Sequence, residues 1–228
     1  MHARDIMTSP VITAHLNSSI LDLISLMLEK HISAIPIETS DGKLAGLVSE
    51  GDLIRRSEIG ARDYSSWWLA AIGGKLRLAD DFVKTHGMKA EEVMTLDVIT
   101  VTEETPVWQI AEILEKNRIK RVPVVLEGSV VGIVSRANLL QALATRREAL
   151  SAQPAANDRD LREKILQTLE KQAWSDISHL NVVVQNGVVY YWGRAGSNTE
   201  RKALKVAAEN IPGVKDVVDH MHKATTLV

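Results

Sequence analysis

Two stretches of the chain carry apolar residues at the three-and-four spacing of a helix with one buried face. In "SSILDLISLMLEKH" the face is Ile20, Leu23, Ile24, Met27 and Leu28. "TPVWQIAEILEKNR" repeats the spacing, with Pro106 where a first helical turn accepts proline. A short extended piece precedes each helix, "PVIT" or "DVIT". A hairpin follows each, "SAIPIETSDGKLAGLVS" or "KRVPVVLEGSVVGIVS", turned at Asp41-Gly42 or Glu127-Gly128. A further helix is expected to start near Asp52 and near Asn138. Each copy is therefore a β-α-β-β-α unit.

The two units are one repeat in register. Met7 matches Met94, Thr13 matches Thr100 and Pro36 matches Pro123 at an offset of 87, while Gly46 matches Gly132 at 86. The lost residue falls in the hairpin turn, where a length change is tolerated. A single sheet with two helices on one side leaves its other face poorly covered, so the two copies are expected to stack. Residues 56 to 90 interrupt the pattern: "YSSWWLAAIGGKLRLADDFVKTHG" reads as a helix broken at Gly73-Gly74. Its adjacent Trp67 and Trp68 project about 100° apart. That segment either packs on its own domain or supplies a dimer contact or ligand-site lid.

After Leu150 the chain turns small and polar ("SAQPAANDRD"), as a linker does. An amphipathic helix, a hairpin turned at Asn186-Gly187, a helix capped by Ser197 with Glu200 three residues on, and a last strand then give an αββαβ domain. The fold class is α+β. The first repeat is assigned to 1–60, a helical insertion to 61–90, the second repeat to 91–146, the linker to 147–156 and the αββαβ domain to 157–228.

Composition narrows the function. The chain has 228 residues, 45% of them apolar, enough for real cores. Lys and Arg (27) nearly balance Asp and Glu (29), so no basic face points to nucleic acid. With no cysteine, thiolate chemistry, disulfides and cysteine-held zinc are excluded. No signal-like start and no apolar run of about 20 residues is present, so a cytoplasmic location is expected. The histidines form no metalloprotease motif, and no nucleophile elbow, Walker or dinucleotide glycine pattern occurs. The chain is therefore expected not to be an enzyme and to need no obligatory cofactor. His220 and His222 share one face of the last strand, a weak metal pair at most.

The most informative words are "GLVSEGDL" (46–53) and "GIVSRANL" (132–139). Ser49 ends a strand and Asp52 lies in the first turn of the next helix, so both side chains and unpaired backbone N–H groups face one small space. A carboxylate there can accept from two ribose hydroxyls while the helix start favours an anion. Ser-x-x-Asp is equally the pattern of a helix cap.

These repeated words, with the Met-Thr start and the strand proline, resemble a tandem pair of CBS domains, a Bateman module, over residues 1 to about 146. The tail from about 157 is similar to a BON domain through "VVVQNGVVYYWGRAGSNTERKALKVAAENIPGVKDVVDHM" with Gly187 and Gly193. The resemblance implies a non-enzymatic regulatory protein, dimeric, that takes an adenosine-containing ligand of the AMP, ADP or ATP class in a cleft between the copies. The implied first site holds Ser33, Ala34, Ile35, Ser49 and Asp52, and the second Lys120, Arg121, Val122, Ser135, Arg136 and Asn138. The resemblance also implies that backbone at Val11 and Val98 flanks the base and that Ile35 and Val122 contribute strand-edge contacts. An amide offers one neutral acceptor where a carboxylate offers two with charge, so the second site has the basic residues without the carboxylate. Lys120 and Arg121 are equally readable as a solvated basic pair. In the alternative reading the CBS pair is a ligand-free dimerising scaffold and the BON domain contacts phospholipid or a protein.

Overall fold

The computed structural model describes residues 1–54, 83, 86–148 and 156–223. Most of the insertion assigned to 61–90, with Trp67, Trp68 and Gly73-Gly74, lies outside the described residues, as does most of the 147–156 linker. The chain divides into two compact units. Unit one is Met1–Val11 with Ile99–Val228, and unit two is Ile12–Val98.

Unit one opens with a single helical turn, α1 (Ala3–Ile6). Unit two then holds β1 (Ala14–His15), α2 (Ile20–Glu29), β2 (Ala34–Glu38), β3 (Leu44–Ser49), α3 (Glu50–Ile54) and α4 (Ala90–Val93). Ser19 caps α2, its Oγ accepting the Asp22 N–H at 3.1 Å. Ile20, Leu23 and Met27 are buried, but Leu28 is 70% exposed and does not belong to the buried face. Eight steps of about 100° carry it well round the helix from Ile20, onto the same stripe as the exposed Leu21. β1 runs parallel to β2 and β2 antiparallel to β3, with Ala34 opposite Ser49. The parallel pairing falls just past "PVIT", on Ala14 and His15. In the second copy it is a single bridge from Val101 to Val124.

The rest of unit one continues with α5 (Val107–Lys116), β4 (Arg121–Leu126), β5 (Ser129–Ser135) and α6 (Arg136–Glu148). Its hairpin turns on Glu127 and Gly128, both at positive φ (51° and 86°), the conformation of a two-residue turn with the strands' own twist. The αββαβ segment follows as α7 (Ala156–Glu170), β6 (Leu180–Gln185), β7 (Val188–Ala195), α8 (Asn198–Glu209) and β8 (Asp216–Lys223). β6 and β7 are antiparallel and β8 joins β7 in parallel. Ser197 caps α8 with Glu200 answering to the Gly196 N–H, as its sequence requires. The Asp158 carboxylate accepts the N–H groups of Asn186 (2.8 Å) and Gly187 (2.7 Å), fastening the hairpin turn to the start of α7.

The feature that orders both repeats is an exchange of their leading Met-Thr segments. Thr8 donates its N–H to Ile133 O at 2.9 Å and accepts the Ile133 N–H at 3.1 Å, so the start of the chain closes the edge of the second repeat's hairpin. Thr95 makes the same pair of bonds with Leu47 of the first repeat (2.9 and 3.0 Å). The motif glycines exist for this. A Cβ on Gly132 would lie 2.8 Å from Met7 Cγ, and one on Gly46 2.8 Å from Met94 Cγ and 2.9 Å from Thr95 O. In unit one Asn138 adds a second tie, its Nδ2 donating to Ile6 O (3.1 Å) and Thr8 Oγ1 (3.2 Å).

Two substitutions test this account by urea denaturation. Gly132→Ala forces the thioether of Met7 aside and is expected to cost about 1–3 kcal/mol. Asn138→Asp removes the donor and sets a buried carboxylate against a carbonyl, with an expected loss of about 2–4 kcal/mol. Midpoints within error of wild type for both would refute the exchange as a source of stability.

Candidate functional site

Each hairpin gathers its sequence-predicted residues at one end. In unit two, Ala34 sits opposite Ser49, and the Glu50 N–H donates to Ser33 O at 3.1 Å, so Ser33, Ala34, Ser49 and Asp52 share that end. In unit one, Arg121 sits opposite Ser135 and the Arg136 N–H donates to Lys120 O at 3.2 Å. Lys120, Arg121, Ser135, Arg136 and Asn138 thus converge. Lys120 and Arg136 are exposed and Arg121 is half-buried, so three cationic residues belong to the strand end that carries Ser135. At such an end an anion meets unpaired N–H groups and positive charge together.

Two predicted residues have their side chains elsewhere. Ile35 and Val122 are fully buried in the cores of their units, and Ala34 beside Ile35 is buried as well. Any contribution they make is through backbone. Val11 closes the leading segment of unit one, which also carries Ser135, and Val98 closes unit two, which also carries Ser49.

The polar pairs behave first as caps. Asp52 Oδ2 accepts both the Ser49 N–H (2.9 Å) and the Ser49 hydroxyl (2.7 Å). Asn138 Oδ1 does the same for Ser135, at 2.8 and 2.6 Å. Both residues therefore hold the strand-to-helix turn, and the change from Asp to Asn keeps that acceptor. The rest of the side chain is where they part. Asp52 is half-buried and brings a negative charge to its turn, whereas Asn138 is 4% exposed and commits its amide donors inward to Ile6 and Thr8. Sequence spacing located the turn but not this second use of Asn138.

Sequence reasoning also missed a junction within unit one, where α7, β6 and α6 meet the leading segment. Arg162 of α7, 8% exposed, donates from Nε to Val182 O (2.8 Å) and from Nη2 to Met7 O (2.6 Å). Burial pushes its guanidinium down to about 10, and the nearby Asp5 and Glu103 carboxylates work against that fall. Arg159 donates to Asp5 Oδ1 at 2.9 Å, with its Nη2 3.1 Å from His2 Nδ1. Asn181 Nδ2 donates to Gln141 Oε1 of α6 at 2.6 Å. The periodic apolar face of α7 gives no hint that its arginines are structural.

No group of three metal-ligating side chains occurs among the described residues. His220 instead stacks on Trp192 with ring centroids 4.0 Å apart. A groove of about 480 Å³ runs between α2 and α3, lined by apolar side chains that include Leu21, Leu28, Ile54 and Met88. Glu50 is the charged residue of its lining. Among the described residues no helix is long and apolar enough to cross a membrane.

Comparison with known proteins places the chain among known families. The CBS domain model matches residues 3–58 and 90–145, and the BON domain model matches 157–224. An uncharacterised protein of Methanocaldococcus jannaschii is 32% identical over 154 residues, which are 63% of this chain and 91% of that protein. The chloroplastic CBS domain-containing protein CBSX2 of Arabidopsis thaliana is 28% identical, and the match spans 58% of each chain. Other curated relatives are much longer, and the match to an A-adding tRNA nucleotidyltransferase of Aquifex aeolicus covers 15% of that enzyme. Among solved structures, CBSX2 in complex with AMP superposes with a TM-score of 0.56 at 26% identity, covering 64% of this chain and 98% of that one. The CBS domain pair of protein MJ0100, in complex with 5′-methylthioadenosine and S-adenosyl-L-methionine, gives 0.50 at 27% identity, covering 64% and 98%. With two repeats matched in register and the αββαβ tail matched separately, the chain belongs to the CBS-domain family and carries a CBS pair followed by a BON domain.

Proposed function

We propose that this chain is a non-enzymatic, cytoplasmic regulatory protein whose CBS pair binds an adenosine-containing ligand of the AMP, ADP or ATP class at the serine-bearing hairpin ends. The observation that carries the reading is the convergence of Lys120, Arg121 and Arg136 at the strand end that carries Ser135, against a capped carboxylate at Asp52. The AMP and S-adenosylmethionine complexes of the similar CBS pairs support the adenosine class. The two ends differ in charge, so the first suits a ribose-led contact and the second a phosphate-led one.

The protein acts as a homodimer in this reading. Both repeats leave the same helix positions apolar and exposed: Leu21 (68%) matches Trp108 (69%) at 108 − 21 = 87, and Ile54 (59%) matches Leu140 (66%) at 140 − 54 = 86. Exposed apolar positions repeated in register are the mark of an association surface. The alternative, a ligand-free scaffold whose BON domain binds phospholipid or a protein partner, has less to support it. All six residues of β6 are buried, which removes that strand from any outward-facing surface.

Calorimetry with AMP, ADP, ATP and S-adenosylmethionine tests the ligand. At least one is expected to bind at roughly micromolar Kd. Asp52→Asn, which keeps the cap oxygen and loses the charge, and Arg121→Ala should each weaken binding about tenfold for a ligand at the corresponding end. Binding no tighter than millimolar across the panel, or affinities indifferent to both substitutions, would sink this reading. Sedimentation should give twice the chain mass, and a Leu21→Glu, Trp108→Glu double variant a single mass. A monomeric wild type removes the dimer.

A further inference from the structure

A second line of hydrogen bonds leaves the candidate site and ends in the BON domain. It starts at Ser135, whose N–H and hydroxyl are both held by Asn138 Oδ1. The Nδ2 of the same Asn138 holds Ile6 O and Thr8 Oγ1. Between those residues lies Met7, whose carbonyl accepts from Arg162 Nη2, while Arg162 Nε holds Val182 O in β6. Arg159 secures the same segment one turn earlier through Asp5. The Met1–Thr8 segment is thus gripped from one side by the turn that carries Ser135 and from the other by α7 of the BON domain. The matching residue of the first repeat, Asp52, has no amide with which to donate to a backbone carbonyl.

We infer that the BON domain reads the Ser135 end, with Arg162 as the positioning residue that joins Met7 to β6. This rests on the nucleotide reading for its input, though not for the docking itself. It also gives the Asp-to-Asn difference between the repeats a function: Asn is the residue that can both cap the serine turn and pass its position on to the exchanged segment. A ligand at Ser135 alters the turn, the turn moves Ile6 and Thr8, and Arg162 carries that displacement to β6. Coupling of this kind is reciprocal, so the state of the BON junction must alter affinity at the Ser135 end by the same factor.

Hydrogen exchange on the full chain tests the docking without any ligand. In Arg162→Met, peptides containing Thr8, Ile133 and Ser135 are expected to exchange about tenfold faster, while the Leu47, Ser49 and Thr95 amides keep their wild-type rates. Arg159→Gln should give the same pattern more weakly, and it decides the matter if Arg162→Met does not fold. Acceleration limited to residues 156–223, or uniform through both units, overturns the inference. AMP supplies the second arm. Added to wild type, it should slow exchange in 156–170, and Arg162→Met should abolish that response and change AMP affinity about fivefold or more. If AMP binds but leaves 156–170 unchanged, the coupling is refuted. If AMP does not bind wild type at all, the nucleotide reading loses this ligand, and the exchange rates of Thr8, Ile133 and Ser135 alone decide the docking.

Discussion

The structure depends on a backbone constraint more than on any charged contact: each hairpin is left with an open edge that its own repeat does not close. Unpaired N–H and C=O groups on such an edge are costly when buried, and something must meet them. Here the partner is the Met-Thr segment that leads into the other repeat, through Thr8 with Ile133 and Thr95 with Leu47. That choice dictates the glycines, because only a residue without a Cβ lets Met7 or Met94 lie flat against the strand. It also places the serine turn beside the exchanged segment, which is what Asn138 exploits.

Burial explains why the two repeats have diverged. Asp52 lies at a half-buried turn, where a charged cap costs little and can address a ligand. At Asn138 the turn is covered and Ile6 O and Thr8 Oγ1 need a donor, so a carboxylate would be both desolvated and opposed to a carbonyl. The basic residues at Lys120, Arg121 and Arg136 then supply at the second end the polarity that the first draws from its carboxylate. Pseudo-symmetry in the backbone therefore coexists with asymmetry in chemistry.

The BON domain extends this asymmetry. A buried arginine is costly unless its donors find partners, and Arg162 directs two of its five to backbone carbonyls from segments far apart in sequence, Met7 and Val182. The bond makes the domain part of unit one instead of an appendage on a linker. Its internal architecture is conventional for its size: a two-layer αββαβ fold with Tyr191 and Leu204 at the centre, and Tyr191 donating to Leu204 O at 3.1 Å.

Local rules were enough to read the repeat, both helices of periodic spacing, the hairpin turns at Gly128 and Gly187, the Ser197 cap and the convergence of Ser49 with Asp52 or Ser135 with Asn138. Each of these is fixed by neighbours within a few residues. Leu28 went astray because a periodic pattern marks a stripe but not its width. The exchanged segments, the second task of Asn138 and the role of Arg162 were out of reach of the sequence by itself. They join residues from 20 to more than 150 positions apart, and such pairings exist only once backbone edges and buried donors have been matched in three dimensions.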